Sequence, residues 1–309
     1  MKVLLPDSIP LDLDLPGAVI YPVDQPLDDS LLDADALVAW GNPGWQLRDA
    51  AARLTRVRWV QTLAAGPDAV LAAGFGPDVV ITSGAGLHDK TVAEHTLALV
   101  LAAARRLNLL VRAQIGHRWA AELGGLQPVR DTSNFRTLRD AHVVIWGFGG
   151  IAATLAPLLA ALGARVTGVA QSEGTRHGFP VVTAAALPTL LPAADVLINI
   201  LPASDSTRRI VDEAVLGLLP AHAWLVNVGR GATVDEQALL AALRDGRLAG
   251  AALDVFETEP LPETSGLWDE PNVLITPHAA GGRPLGAAER IRSNYEALVA
   301  GRPLSHVVS

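Results

Sequence analysis

The chain has 309 residues, of which 50% are hydrophobic and 18% are charged, and its formal net charge at pH 7 is −8. The length allows two domains with separate cores, and the hydrophobic content excludes a disordered chain. An acidic balance without a block of basic residues argues against nucleic acid as a partner. The absence of cysteine excludes disulfides, thiolate metal sites and a cysteine nucleophile.

We predict a cytoplasmic protein that neither carries a signal peptide nor crosses a membrane. The apolar run at the N-terminus is too short for a signal peptide and is interrupted by Pro6 and Asp7. Residues 141–164 lack Lys, Arg, Asp and Glu and have the length of a membrane span. Gly147 and Pro157 interrupt this stretch, and the patterns within it indicate a strand and a helix instead.

The first third of the chain alternates short apolar runs with polar turns and helical patterns. The apolar runs predict strands at Val3–Leu5, Ala18–Val23, Ala36–Trp40, Trp59–Leu63 and Val79–Thr82. Helical patterns lie between them at Leu31–Asp35 and Leu47–Leu54. This alternation is typical of βαβ units, which form a parallel sheet.

The middle of the chain predicts one long helix followed by a more polar connection. Thr91–Leu107 has apolar residues at helical spacing, and Asn108–Asp140 is interpreted as a connecting or interface segment. Within that segment, Trp119 is either a packing residue or part of a lid over a substrate. His88 and His95 are seven positions apart and lack a third ligand nearby, so we predict no metal site.

A second series of strands and helices begins at His142. The predicted strands are His142–Trp146, Arg165–Val169, Val196–Ile200, Trp224–Val228, Ala251–Val255 and Val273–Thr276. The predicted helices are Ile151–Leu162, Asp212–Leu218, Glu236–Arg244 and Ala287–Ala300. The chain therefore belongs to the α/β class, with two units built on parallel sheets.

A glycine-rich turn follows the first strand of this second series. Residues 147–152 read Gly-Phe-Gly-Gly-Ile-Ala, between a predicted strand and a predicted helix. In this context Gly147 permits a tight turn, Gly149 lets a pyrophosphate approach the backbone, and the phosphates lie at the helix N-terminus. The pattern favours dinucleotide binding through Gly147, Phe148, Gly149, Gly150 and Ile151. The alternative is a glycine-rich turn without a ligand.

The end of the following strand indicates which dinucleotide is bound. At Ala170 the sequence lacks the carboxylate that would hold a ribose 2′-hydroxyl and repel a 2′-phosphate. Ser172 and Arg176 instead offer donors to a 2′-phosphate, although Arg176 also fits a solvated loop position. We therefore expect NADP(H), with NAD(H) as the alternative. The predicted cofactor contacts here are Ala170, Gln171, Ser172 and Arg176.

Polar side chains also follow three neighbouring strands of the predicted sheet. Arg230 follows the strand at 224–228, Glu259 the strand at 251–255 and His278 the strand at 273–276. An arginine holds the oxygens of a keto acid with paired donors, a histidine protonates its carbonyl oxygen, and a carboxylate fixes the histidine tautomer. Taken singly, each residue also fits a surface or turn position. Taken together, they predict a catalytic site.

Several segments together resemble the D-isomer-specific 2-hydroxyacid dehydrogenases. They are Val60–Gly66, Val92–His95, Gly147–Ala152, Leu201–Thr207, Leu225–Gly231, Gly250–Leu261, Thr276–His278 and Leu298–Leu304. The resemblance implies two Rossmann-like domains, with the cofactor domain inserted into a flavodoxin-like substrate domain. It places the substrate domain at residues 1–97 plus 284–309 and the cofactor domain at 98–283. It also implies a homodimer joined through the cofactor domains.

The resemblance assigns roles to individual residues. The family's catalytic Arg, Glu and His correspond to Arg230, Glu259 and His278, and its carboxamide-binding Asp corresponds to Asp254. The further predicted cofactor contacts are Leu201, Pro202, Val228 and Asp254. The predicted substrate contacts are Ala64, Ala65, Gly66, Arg230 and His278. Ala170 departs from the acidic residue of the NAD-dependent members.

The reaction implied by the resemblance is the reduction of a 2-oxo acid by NAD(P)H to a D-2-hydroxy acid. The substrate side chain stays open among glyoxylate, hydroxypyruvate, phosphohydroxypyruvate and bulkier oxo acids. One alternative is a dinucleotide-sensing co-repressor with little turnover. A second is a dehydrogenase of a substrate that is not a hydroxy acid, such as formate.

Overall fold

The computed structural model describes residues 1–124 and 135–308. It divides into two compact units, of which the first comprises Met1–His88 and Arg283–Ser309 and the second comprises Asp89–Gly282. The second unit is therefore inserted into the chain of the first. The boundaries of the substrate and cofactor domains, at 97/98 and 283/284, stay predictions.

Strands and helices alternate through most of the described residues. The strands are β1 (Val3–Pro6), β2 (Ala18–Tyr21), β3 (Ala36–Ala39), β4 (Trp59–Thr62), β5 (Val80–Thr82), β6 (His142–Trp146), β7 (Arg165–Val169), β8 (Gly174–Arg176), β9 (Phe179–Val182), β10 (Val196–Asn199), β11 (Trp224–Asn227), β12 (Gly250–Leu253) and β13 (Val273–Ile275). The helices are α1 (Gly44–Arg53), α2 (Asp68–Leu71), α3 (Asp89–Ala104), α4 (Leu107–Ile115), α5 (Gly150–Ala161), α6 (Leu187–Leu190), α7 (Glu213–Leu216), α8 (Glu236–Arg244) and α9 (Ala287–Val299).

The first unit is built on a parallel sheet. Its described residues form five strands in the order β2-β1-β3-β4-β5, which is the flavodoxin-like order. Alternate residues of a strand point to opposite faces, so Leu4 and Leu37 belong to one buried cluster and Val3 and Val38 to another. β1 and β3 are buried along their whole length and are continuous apolar runs, which is why the sequence predicts them.

The second unit has the doubly wound order of a dinucleotide-binding fold. Its described residues form eight strands in the order β13-β12-β11-β10-β6-β7-β9-β8, and β8 pairs antiparallel with β9. The strand order reverses between β6 and β10, and ligands of such sheets bind at this point, outside the carboxyl ends of the strands. The glycine-rich turn connects β6 to α5 and therefore lies at the reversal.

Both faces of the second sheet are covered by apolar clusters. On β6, Val143 and Ile145 belong to one cluster, and Val144 and Trp146 belong to the other. Leu155 of α5 packs into the first cluster together with residues of α3. The glycine-rich turn is therefore carried by a strand and a helix that are both fixed by buried side chains.

The helix predicted at Thr91–Leu107 is present as α3, but it ends three residues earlier and a second helix follows it. α3 ends at Ala104, α4 begins at Leu107, and Arg106 between them has a φ of 55°. A left-handed residue interrupts a right-handed helix, so the chain changes direction there. α4 also occupies the start of the segment Asn108–Asp140, which we expected to be a polar connection. Residues 125–134 of that segment lie outside the described residues.

Two short segments also differ from the prediction. β8 and β9 form a hairpin that the sequence did not indicate, with His177 and Gly178 at its turn in the left-handed region. Both turn residues have a positive φ, as the type I′ hairpin turn requires. Arg176 consequently lies on a strand rather than in a loop. The helix predicted at Leu31–Asp35 is replaced by a 3-10 turn at Asp29–Leu31.

The uncharged stretch at residues 141–164 does not form one continuous element. It comprises β6, the glycine-rich turn and α5, which is 12 residues long. Among the described residues, the structure contains no helix with the length and apolar character needed to cross a membrane.

Candidate active site

Three strands that lie side by side in the second unit lead to the predicted catalytic residues. β11 pairs with β12, and β12 pairs with β13, all in parallel, so their carboxyl ends meet at one edge of the sheet. Arg230 lies shortly after β11, His278 lies shortly after β13, and Glu259 follows β12 after a longer turn. The sheet thus brings the three chain segments together.

His278 and Glu259 form a hydrogen-bonded pair. Nδ1 of His278 lies 2.8 Å from Oε2 of Glu259, and Oε1 of Glu259 accepts from the backbone N–H of Phe256 at 3.0 Å. The His278 and Glu259 side chains are 48% and 37% exposed, so the pair borders solvent. The contact favours the imidazole form protonated at Nδ1 and leaves Nε2 on the far side of the ring.

The two partners shift each other's pKa in opposite directions. The hydrogen bond to Glu259 is the largest influence on His278 and raises its pKa, while burial and the charge of Arg230 oppose the rise. Burial acts to raise the pKa of Glu259, but the hydrogen bonds from His278 and from the N–H of Phe256 outweigh it. The pKa of Glu259 therefore lies below its ordinary value. The pair favours imidazolium beside carboxylate.

Arg230 is held by a buried polar network at the end of β11. Its Nη1 donates to the carbonyl of Gly229 at 2.8 Å, and its own carbonyl accepts from Asn227 Nδ2 at 3.3 Å and from Thr233 Oγ1 at 2.6 Å. The guanidinium charge acts on the pKa of both members of the His–Glu pair. Arg230 therefore lies within electrostatic reach of that pair.

Sequence reasoning missed the network that positions these turns. Asn199 Nδ2 donates to Asn227 Oδ1 at 3.0 Å and to Thr233 Oγ1 at 2.6 Å. The two asparagine Oδ1 atoms accept from the backbone N–H groups of Leu201 at 3.3 Å and Gly229 at 3.2 Å. Each asparagine is the last residue of a buried strand. An asparagine that ends an apolar run is therefore the sequence feature that could have indicated this network, because a buried amide needs hydrogen-bond partners.

Close backbone contacts require glycine on both sides of Arg230. A Cβ on Gly231 would lie 1.8 Å from the carbonyl carbon of Phe256, and a Cβ on Gly229 would lie 2.6 Å from the carbonyl oxygen of Leu201. Real Cβ atoms do not approach backbone so closely. The turn after β11 can therefore pass between its neighbours only with glycine at these two positions.

Asp254 is buried and bound to the loop that carries His278. Its side chain is 1% exposed. Oδ1 accepts from Thr276 Oγ1 at 2.5 Å and from the N–H of Ala279 at 2.8 Å, and Oδ2 accepts from the N–H of Ala280 at 3.0 Å. The structure thus gives Asp254 a part in holding this loop. A contact with the nicotinamide carboxamide stays a prediction.

The glycine-rich turn has the features that a dinucleotide requires. Gly147 has a φ of 100°, and a Cβ there would lie 2.8 Å from the carbonyl oxygen of Ile200, so glycine is needed where the β6 and β10 turns meet. A Cβ on Gly149 would meet nothing within 4 Å, so the space before its backbone is open. α5 begins at Gly150 and directs its first N–H groups toward its N-terminal end. These residues fit the pyrophosphate of a dinucleotide.

The remaining residues of the turn face the protein. Phe148 is buried, and a Cβ on Gly168 would lie 2.3 Å from its ring. Ile151 packs against the buried cluster of α5, and a Cβ on Gly150 would lie 2.1 Å from Oδ2 of Asp89. We therefore expect Phe148, Gly150 and Ile151 to meet a cofactor through backbone atoms.

Three further predicted cofactor contacts follow β10 and β11. Leu201 is half-buried, Pro202 is exposed, and Val228 is buried with its N–H donating to the carbonyl of Asn199 at 3.1 Å. All three follow strands that pair directly with each other, β10 also being the neighbour of β6. The structure therefore brings them to the same sheet edge as the glycine-rich turn.

The residues expected to select between the two dinucleotides lie together beyond β7. Arg176 Nη2 donates to Ser172 Oγ at 2.7 Å and to the Ser172 carbonyl at 3.1 Å, and Nη1 donates to the Phe148 carbonyl at 3.3 Å. Ala170 is half-buried at the end of β7, and Gln171 and Ser172 are exposed. The hairpin β8–β9 thus holds a guanidinium group beside the glycine-rich turn.

The predicted substrate loop belongs to the first unit, where it follows β4. The carbonyl of Ala64 accepts from the N–H of Gly84 at 2.8 Å, and the N–H of Ala64 donates to Thr62 Oγ1 at 3.1 Å. Ala64 is therefore engaged within its own unit. Of the three predicted backbone donors, Ala65 and Gly66 are the better candidates for the substrate carboxylate.

The two histidines considered as metal ligands have other contacts. His88 Nε2 lies 2.7 Å from the carbonyl oxygen of Leu63, and its ring stacks on Trp40 with centroids 5.3 Å apart. His95 contacts Thr276 in the second unit. In residues 1–124 and 135–308, the structure groups no three His, Asp or Glu side chains in a way that would hold a metal ion.

A Rossmann-like unit with a glycine-rich turn, an arginine and a histidine–carboxylate pair at one sheet edge defines a nicotinamide-dependent dehydrogenase. Residues 97–280 match the NAD binding domain of the D-isomer specific 2-hydroxyacid dehydrogenases. The chain is 36% identical to the glyoxylate reductase of Aeropyrum pernix over 241 residues, which cover 75% of this chain and 69% of that protein. It therefore belongs to the D-isomer-specific 2-hydroxyacid dehydrogenase family.

Solved structures of related proteins match the fold over the full length of this chain. A D-isomer specific 2-hydroxyacid dehydrogenase from Xanthobacter autotrophicus, in complex with NADPH and MES, is 31% identical with a TM-score of 0.81, covering 100% of this chain and 98% of its own. An NADPH-dependent glyoxylate/hydroxypyruvate reductase from Sinorhizobium meliloti, in complex with NADP and sulfate, is 26% identical with a TM-score of 0.83, with the same coverage of both chains. The chain is thus an NAD(P)-dependent oxidoreductase that transfers hydride between the cofactor and a 2-oxo acid.

Proposed function

We propose that this chain is an NADPH-dependent reductase of a small 2-oxo acid, with Arg230, Glu259 and His278 as its catalytic residues. The observation that carries the proposal is the 2.8 Å contact between His278 Nδ1 and Glu259 Oε2, at the sheet edge where the glycine-rich turn also lies. A histidine held at one nitrogen by a carboxylate is oriented to act as an acid at the other.

The second unit holds the dinucleotide. The N–H groups at the start of α5 would hold the pyrophosphate, and the space before the Gly149 backbone is open for it. Leu201, Pro202 and Val228 line the same sheet edge. When bound, the nicotinamide supplies the hydride that reduces the carbonyl carbon of the substrate.

Arg230 and His278 act on the substrate. Arg230 binds the carboxylate and the carbonyl oxygen with its guanidinium N–H donors. As negative charge develops on that oxygen, His278 gives it the proton from Nε2, and Glu259 stabilises the imidazolium until the transfer. Hydride at carbon and this proton at oxygen complete the hydroxyl group. In the reverse direction, neutral His278 removes the hydroxyl proton.

The preference for NADPH is supported by the residues after β7. Ala170 has no carboxylate that would repel a 2′-phosphate, and Arg176 is held against Ser172 and the glycine-rich turn. A guanidinium group recognises phosphate with two parallel N–H donors. The NADPH and NADP complexes of the two related structures support the same preference.

The substrate is proposed to be glyoxylate or hydroxypyruvate. The names of the relatives from Aeropyrum pernix and Sinorhizobium meliloti support small 2-oxo acids of this kind. Residues 1–97 and 284–309 are proposed as the substrate domain, with the backbone of Ala64, Ala65 and Gly66 near the substrate carboxylate. Residues 98–283 are proposed as the cofactor domain. The cytoplasm stays the proposed location.

We propose a homodimer joined through the cofactor domains. α4 exposes apolar side chains at Leu110, Val111 and Ile115, and Trp119 beyond it is 94% exposed. These residues line one side of the second unit, where a second copy of the chain would cover them. Sedimentation of the wild type and of Ile115→Glu tests this proposal. A dimer that Ile115→Glu dissociates supports it, and a wild-type monomer contradicts it.

The proposed reaction is tested by following the oxidation of NADPH and of NADH in parallel. The substrates are glyoxylate, hydroxypyruvate, pyruvate and a branched 2-oxo acid, and chiral analysis identifies the product. We expect the highest kcat/KM with NADPH and one of the two small acids named above, and a D-2-hydroxy product where the product is chiral. A protein that binds NADPH but reduces none of the four acids would contradict the proposal.

Neither alternative gains support from these observations. The two related proteins of assigned activity are named as reductases, and a co-repressor with little turnover is not supported. The formate-type reaction needs no general acid, whereas His278 and Glu259 are arranged as one. Reduction of a 2-oxo acid uses all three polar residues at the sheet edge.

A further inference from the structure

His95 reaches the loop that carries His278 through a chain of side-chain hydrogen bonds. His95 lies on α3, and its Nε2 is 3.0 Å from Thr276 Oγ1. Thr276 Oγ1 is in turn 2.5 Å from Asp254 Oδ1, and His95 Nε2 lies 3.4 Å from the same carboxylate oxygen. The reaction described above gives no role to His95 or to Thr276.

The chemistry of the groups fixes the direction of each bond. An ionised carboxylate only accepts, so the single hydroxyl proton of Thr276 is donated to Asp254. The hydroxyl oxygen of Thr276 can then only accept from its other neighbour, and His95 must carry a proton on Nε2. The series of hydrogen bonds therefore runs from the donor His95 through Thr276 to the acceptor Asp254. Asp254 is 1% exposed and His95 is 22% exposed, so these bonds are largely shielded from water.

The same carboxylate fixes the loop at residues 276–280. Asp254 accepts from the N–H groups of Ala279 and Ala280, and its backbone carbonyl accepts from the N–H of His278 at 2.8 Å. His278 has a φ of 51°, a conformation that a non-glycine residue adopts only when its surroundings hold it there. A shift of Asp254 would consequently move the His278 ring relative to Glu259.

We propose that His95 is a positioning residue for the reduction: by donating to Thr276, it holds Asp254 and through it the loop that carries His278. The inference rests on the proposed function, because it gives His95 an effect on proton transfer. The simpler interpretation is a helix histidine whose polar atom is merely satisfied by its neighbours. The two interpretations differ in what a replacement without a donor does to turnover.

The test compares His95→Leu, which removes the donor, with His95→Gln, which keeps an N–H donor at similar reach. We expect kcat for the 2-oxo acid to fall by about tenfold to a hundredfold in His95→Leu, because small displacements of a reacting group are costly. His95→Gln should recover most of this loss. The dissociation constant of NADPH, measured by fluorescence, should stay close to the wild-type value in both variants. The limb of the pH profile that reports His278 should shift in His95→Leu alone.

His222 offers a matched control. Its Nε2 lies 3.1 Å from Asp195 Oδ1, and its side chain is 25% exposed, so its surroundings are similar. His222 precedes β11 and Asp195 precedes β10, which places the pair at the opposite ends of these strands. His222→Leu should leave kcat close to the wild-type value.

Thr276 provides an independent route if His95→Leu fails to fold. Thr276→Val removes the hydroxyl group that links His95 to Asp254, whereas Thr276→Ser keeps it. We expect Thr276→Val to lower kcat as His95→Leu does. The variant with both substitutions should have a kcat no lower than either single variant, since both residues act through the same series of hydrogen bonds. Equal losses in His95→Leu and His95→Gln, or a normal kcat in His95→Leu, would overturn the inference. A wild type without activity on any 2-oxo acid would instead contradict the proposed function.

Discussion

Nδ1 of His278 lies 2.8 Å from Oε2 of Glu259, although the two residues are carried by different turns of the second unit. The Glu259 turn is fixed by the N–H of Phe256, and the His278 loop is fixed by Asp254. Backbone contacts therefore help to hold both partners of the pair in place. Groups held in this way need little reorganisation, so their electrostatic coupling is preorganised for a reaction.

The coupling predicts the pH dependence of the reduction. The reduction needs protonated His278, so activity is present below the pKa of His278 and is lost as the pH rises through it. Because Glu259 raises that pKa, the wild type should lose its activity at a higher pH than an ordinary histidine pKa would dictate. In Glu259→Gln the pKa falls, so activity should be lost at a lower pH, and kcat should fall by about tenfold to a hundredfold. Profiles of kcat/KM against pH measure this shift.

Glu257→Gln is the control for that change. Glu257 is bound by Arg209 at 2.8 Å and lies two positions before Glu259, so it carries the same charge on the same turn. Its replacement should move the profile far less. An unchanged profile in Glu259→Gln would mean that Glu259 does not set the pKa of His278.

Arg230→Gln should impair binding of the 2-oxo acid. The guanidinium is proposed to pair with the substrate carboxylate, and losing one partner of such a pair costs about 2–5 kcal/mol, which is roughly thirtyfold to several thousandfold in kcat/KM. Arg230 also lowers the pKa of His278, so its removal should raise that pKa. NMR titration of His278 should therefore move in opposite directions in Arg230→Gln and Glu259→Gln. Arg247→Gln, on the surface, should change neither quantity.

Arg176→Gln should weaken the binding of NADPH without weakening the binding of NADH. Arg176 is proposed to bind the 2′-phosphate, and the loss of a hydrogen bond to a charged group costs about 1.5–3 kcal/mol, which is roughly tenfold or more in the KM for NADPH. NADH has no 2′-phosphate, so its KM should stay close to the wild-type value. Parallel kinetics with the two cofactors measure the ratio. Equal losses with both cofactors would instead mean that Arg176 only supports the turn through the Phe148 carbonyl.

The regular elements of this fold could be predicted because their signals are local. β7 and α8 have the bounds that the sequence predicts, since β7 has the buried β-branched residues Val166, Thr167 and Val169 and α8 has an aspartate cap and an amphipathic pattern. The hairpin β8–β9 carries a weaker signal, because β8 is only three residues long and largely exposed, and Pro180 interrupts the apolar residues of β9. The break at Arg106 depends on a single backbone angle, which the helical periodicity of residues 91–107 does not indicate.

The candidate site divides in the same way. Arg230, Glu259 and His278 could be proposed because each follows a predicted strand, although their roles stay predictions. No supporting role could be assigned to Asn199, Thr276 and His95 from the sequence, since their partners are distant in sequence and appear only when the strands pair. A buried polar group acquires meaning from the groups around it, and the sequence does not give that information.

Gly149→Ala should abolish cofactor binding in a protein that still folds. Gly149 has an ordinary extended conformation, and a Cβ there meets no protein atom within 4 Å, so the substitution should cost only about 0.5–1 kcal/mol at the start of α5. The added methyl group would stand in the space that the pyrophosphate is proposed to occupy. Thermal unfolding and titration with NADPH separate the two effects. Gly76→Ala, which is equally open, should leave both unchanged. A Gly149→Ala protein that binds NADPH normally would mean that the pyrophosphate does not approach this backbone.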